Sequence, residues 1–116
     1  MIFLWSSAVL MVATALTHSV LGEKRLIGPV LAIDSEITRR ALARQILRLA
    51  WHLTSLFMLL TALLIVWPGT PRVLILITGI LWLAVGLIDG VITKGQHIGW
   101  GPLTISGAFA VAGALA

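Results

Sequence analysis

"VLILITGILWLAVGLIDGVIT", residues 73–93, carries a single charged side chain, Asp89. A bilayer core of ~30 Å takes ~20 consecutive apolar residues in a helix, so a run of this length reads as a membrane span. Three more runs lie around it, at about 2–21, 49–67 and 100–116. The first two hold no charge. The last is short and built largely of Gly and Ala, so it must cross a thinned region or lie against its neighbours. Composition agrees: 59% of the 116 residues are hydrophobic and 10% are charged, where a soluble domain carries ~25% charged residues. The expected fold is all-α: a single integral membrane domain over 1–116, an antiparallel four-helix transmembrane bundle with one longer cytoplasmic loop between helices 1 and 2.

The breaks follow from residue chemistry. "WPGTPR" (67–72) holds two prolines and a glycine and reads as a tight turn. "TKGQHIGWGP" (93–102) reads as a short loop, with Pro102 in the first turn of the last helix, where its missing N–H costs nothing. The first loop runs from Gly22 to about Ala43. Within it "IDSEITRR" (33–40) reads as a helix start, with Asp34 or Ser35 as cap and Glu36 opposing the positive end of the dipole. That helix is expected to continue through "RRALARQILRLAWHL" (39–53) into the second span. It would be ~32 residues, or ~48 Å at 1.5 Å per residue. "ATALTHS" (13–19) has a signal-peptidase-like Ala13-Thr14-Ala15, but no basic residue precedes the apolar run, so no cleavage is expected.

Charge orients the chain. Lys24, Arg25, Arg39, Arg40, Arg44 and Arg48 belong to the first loop and its flanks, and Lys94 to the third; the second has only Arg72. The positive-inside rule then puts loops one and three in the cytoplasm and both termini outside. Trp5 and Trp67 fall at the outer interface, Trp51 and Trp100 at the inner one, and Trp82 mid-span. The net charge of +4 is thereby a topology signal, and no nucleic-acid partner is expected.

Candidate chemistry lies at one end of the spans. His18, His52 and His97, the only histidines, each sit beside the end of an apolar run, at one depth with Asp89 and Glu23. Polar or small residues recur at helical spacing: Ser7, Met11, Thr14 and His18; Arg44, Arg48, His52 and Ser55; Gly79, Trp82, Gly86 and Asp89; Gly101, Thr104 and Ala108. Such faces turn inward in lipid. An acid within a span costs ~2.5–3.5 kcal/mol on insertion scales, so Asp89 should contact a histidine or arginine. If the five residues converge, imidazole and carboxylate suit zinc, iron or manganese. His18 and His52 would share the ion, and His97 or Asp89 would complete the shell. A haem held by His18 and His52 is less favoured. With no cysteine or tyrosine, and no H-E-x-x-H or E-x-x-H motif, thiol chemistry, tyrosyl radicals, zincin proteases and ferritin-like di-iron sites are unsupported. The outer half holds no titratable group within a span that could continue a proton relay. No Ser-His-acid set is expected, since Ser19 beside His18 faces elsewhere on its helix. Arg40, Arg44 and Arg48 share a face at i, i+4, i+8 and form a candidate anion or lipid-headgroup site.

"HSVLGEKRLIGP" (18–29), a later "WHLT" (51–54) and "GQHIG" (95–99) resemble a group of small bacterial integral membrane proteins. The resemblance implies a four-helix protein of the bacterial inner membrane, and no particular activity. Two functions follow as expectations: a metal-binding membrane protein with a cytoplasmic-side His/carboxylate site, its reaction or sensing role undefined, or a non-catalytic accessory subunit that packs against a membrane partner or a second copy of itself.

Overall fold

The computed structural model describes residues 1–116 and is all-α. Its elements are α1 (Ile2–Gly22), a π-helical turn (Glu23–Ile27), α2 (Gly28–Ala32), α3 (Ala41–Val66), α4 (Arg72–Ile92) and α5 (Trp100–Leu115). The helices over Ile2–Ala32, Ala41–Val66 and Arg72–Ile92 are long and apolar enough to cross a membrane. The fourth, Trp100–Leu115, is apolar but shorter.

The first loop is shorter than expected, because the chain stays helical to Ala32. A proline inside an α-helix clashes with the carbonyl four residues back and lacks the N–H that carbonyl would receive. For Pro29 that carbonyl belongs to Arg25. The helix widens into the π turn just before it, with Gly28 N–H bonded to Glu23 O, and Pro29 then sits in the first turn of α2. The start of α3 also moves. Residues 33–40 form a turn, and the helix begins at Ala41. Ser35 and Thr38 bond each other, while Asp34 pairs with Arg39 at 2.7 Å instead of capping a helix. This partner holds the Asp34 carboxyl below the usual carboxylate range. The stabilisation is therefore present at neutral pH and fades as pH falls through the lowered value.

Arg44 fastens this corner. Its guanidinium donates to the carbonyls of Leu31 and Thr38, satisfying acceptors at the end of α2 and in the turn. Arg44→Ala is expected to cost about 2 kcal/mol, the range for hydrogen bonds to charged groups, read as a lower thermal midpoint in detergent.

α5 packs against both α1 and α4, and α1 in turn against both α3 and α5. Ser7 Oγ donates to Ser106 O at 2.8 Å, and Ser106 Oγ donates to Ser7 O at 3.0 Å. Both serines are fully buried. On the other side, a Cβ on Gly107 would lie 2.3 Å from the Leu83 backbone nitrogen, so α4 and α5 meet backbone to backbone. The core comprises Ala8, Met11, Ala15, Met58, Ala62 and Leu103 in one cluster, and Ile65, Ile75, Ala110 and Ala114 in another. The inward face expected of α5 is corrected. Leu103, Ser106, Gly107, Ala110 and Ala114 are buried, whereas Ala108 is exposed. A helix covered on two sides, and made of small residues throughout, shows no periodic signal of which side is which.

α4 ends in a Schellman arrangement: Gly95 N–H bonds Gly90 O, and Lys94 N–H bonds Val91 O. Lys94 occupies the left-handed position, φ 52°, usually held by glycine. Lys94→Gly should raise stability by roughly 0.5–1 kcal/mol, the left-handed penalty less the entropy glycine adds to the unfolded chain. An increase in the thermal midpoint would show it.

Candidate functional site

The expected site residues gather at one end of the molecule, but in three separate arrangements. The first ties α1 to α3. Glu23 accepts from Arg48 at 2.8 Å and meets His52 Nε2 at 3.1 Å. The other ring nitrogen of His52 lies 2.9 Å from Ser19 Oγ, which donates to Ser55 Oγ at 2.7 Å.

Ser19 does face away from His18, but the expectation that no Ser-His-acid set forms is corrected: the histidine comes from α3. Ser19 and Glu23 are i and i+4 on one face, and His52 on α3 bridges them. The signal lies in that spacing, but it needs the pairing of α1 with α3 to become visible. The order serine–histidine–carboxylate matches that of a nucleophilic relay. Chemically it lacks two requirements. The Ser19 hydrogen goes to Ser55, and Ser19 does not line the neighbouring cleft where a substrate could approach. The arrangement is therefore a polar tie between helices. A fluorophosphonate is expected to leave Ser19 unlabelled, as read by mass spectrometry.

The second arrangement is His18 against Trp51. The rings stack with centroids 4.2 Å apart and planes 9° from parallel, and Trp51 Nε1 donates to His18 O at 3.0 Å. Gly22 permits it, since a Cβ there would lie 2.1 Å from Trp51 Nε1. Trp51 is thus a half-buried packing residue within α3. His18 Nε2 is buried with no hydrogen-bond partner, the only side-chain nitrogen or oxygen so placed.

The third is Asp89 with His97, whose Nδ1 lies 2.5 Å from Asp89 Oδ2. Asp89 has the histidine partner expected of an acid within an apolar helix. The turn through Lys94 and Gly95 brings His97 back over the end of α4, where its backbone N–H bonds Thr93 Oγ1.

The expected convergence of His18, His52, His97, Asp89 and Glu23 on one ion is not what this geometry offers. No group of three or more His, Asp or Glu side chains is placed to hold a metal. Glu23 is spent on His52 and Arg48, and His52 on Glu23 and Ser19, while His18 turns to Trp51. The arginine face is likewise engaged within the chain: Arg40 pairs with Glu36 at 2.9 Å, Arg44 binds carbonyls, and Arg48 holds Glu23. Arg25, one residue past Lys24, makes no ion pair.

A cleft of about 600 Å³ joins the second and third arrangements. It opens because α3 and α4 scarcely touch; Trp82 Nε1 reaches across to Thr61 Oγ1 at 2.9 Å. Its apolar walls are Leu10, Ala13, Met58, Trp82, Val85 and Leu103, and its polar rim is His18, Arg25, Asp89, Gln96 and His97. The volume lies within the ~300–1,000 Å³ usual for ligand sites. Comparison with protein-family models, curated proteins and solved structures finds no match.

Proposed function

We propose that the protein is an integral membrane protein, an antiparallel four-helix bundle that takes up an amphiphile from the bilayer. The observation that carries this reading is the cleft: one space with an apolar depth and a polar rim. The outward faces, among them Val9, Leu16, Leu56, Leu63, Ile77 and Ile80, are exposed and apolar, as lipid contact requires. Positive charge gathers at the end where the rim lies, so by the positive-inside rule the head group sits at the cytoplasmic leaflet and both termini lie outside. A reporter fused after Ala116 should read as periplasmic; a cytoplasmic reading would mean an inverted chain or a fourth helix that does not cross.

The chain has no native cysteine, so a single introduced thiol can carry a fluorophore cleanly. Labelled at Val85→Cys in the cleft, the protein should be quenched by brominated acyl chains in a saturable phase. At Leu63→Cys on the outer face, quenching should only follow bulk lipid. Ala13→Phe, which fills the cleft without touching the rim, should remove the saturable phase. Identical quenching at both positions would contradict the reading.

A further inference from the structure

Resting on that reading, we infer that the cleft selects an acidic phospholipid, with its phosphodiester held by Arg25 on the α1 side and a head-group hydroxyl facing Asp89 on the α4 side. The rim holds donors and acceptors that the chain leaves unused. Of the rim groups, Asp89 and His97 are bonded to each other. Arg25 lines the cleft with no ion pair. A guanidinium donates only. Left unpaired at the rim it calls for an acceptor, and the acceptor it favours is an anionic oxygen. The Asp89 carboxylate lies on the other wall. One of its oxygens is taken by His97, leaving the other to accept from a hydroxyl. The apolar depth takes one acyl chain while a second stays in the bilayer.

Arg25 also separates this site from general surface charge. Lys24, its neighbour, is exposed and makes no ion pair either, but it does not line the cleft. A basic residue near an anionic head group contributes ~1 kcal/mol, or about fivefold in affinity.

The test is native mass spectrometry of the full chain in mild detergent, titrated with phosphatidylglycerol, phosphatidylcholine of the same chains, and oleate. Wild type should retain phosphatidylglycerol about fivefold better than phosphatidylcholine. Arg25→Gln should erase the preference, and Lys24→Gln should keep it. Equal retention of the two phospholipids, or equal effects of the two substitutions, would overturn the inference while leaving amphiphile binding intact. Preferential retention of oleate would overturn it in favour of a free carboxylate. Retention of none of the three by folded protein would remove the amphiphile reading itself.

Discussion

Gly107→Leu is expected to force α5 away from α4 and so destabilise the whole bundle. The new Cβ would lie 2.3 Å from the Leu83 nitrogen and 2.7 Å from both Leu83 Cα and Gly79 O. All three are backbone atoms of α4, so no side chain can rotate aside. Overpacking against a movable neighbour costs ~1–3 kcal/mol; at Gly107 α4 itself must move, so the cost belongs at the top of that range or above. A domain's whole stability is ~5–15 kcal/mol, so much of the population should unfold under mild denaturant. Because α5 also holds α1 through Ser7 and Ser106, loosening α4 exposes that buried pair as well. Gly101→Ala is the control, since a Cβ there meets nothing within 4 Å. The unfolding midpoint in detergent should fall sharply for the first variant and stay put for the second.

Gly22→Leu should act on the cleft more than on the fold. Its Cβ would overlap Trp51 at 2.1–2.4 Å, but the indole is a side chain and can swing away. Doing so breaks its bond to His18 O and its stack on the His18 ring. Aromatic stacking contributes ~0.5–1.5 kcal/mol beyond area burial, and His18 and Trp51, which both line the cleft, no longer hold that part of its wall in place. Amphiphile retention is expected to drop by up to about tenfold, the equivalent of 1.4 kcal/mol, with a modest change in thermal midpoint. Adding Trp51→Phe to Gly22→Ala returns room to the site and should recover part of the binding. Unchanged retention in Gly22→Leu would show that the Trp51–His18 stack does not shape the cleft.

Much of this architecture is legible in the residues. "WPGTPR" and "TKGQHIGWGP" place the helix ends on either side of them within a residue or two of those observed, whereas the first helix runs on to Ala32 and α3 starts at Ala41. Ser7, Met11 and Thr14 mark the inward face of α1 by spacing alone, and all three are buried. What is not legible has physical causes. "GEKRLIGP" (22–29) has a glycine at each side of a charged run and a proline after it, which reads as a loop; a π turn that relieves Pro29 has no sequence pattern of its own. Ser35 and Asp34 are cap residues by type, but they bond Thr38 and Arg39 instead, and the helix starts at Ala41. The shared depth of the histidines is readable, and their grouping is not. Grouping depends on which neighbour each side chain meets, and Ser19, Trp51 and Gly22 decide that through contacts distant in sequence. The cleft is a property of α3 and α4 standing apart, which no single helix encodes.

The most direct measurement is the lipid content of the purified protein. Wild type and Ala13→Phe would be purified in the same mild detergent, shown to be folded by circular dichroism, extracted with organic solvent and quantified by mass spectrometry. A cleft that takes up an amphiphile predicts near-stoichiometric lipid in wild type and a severalfold loss when Phe occupies the space beside Ala13. Equal lipid in both proteins, or none in folded wild type, would contradict it.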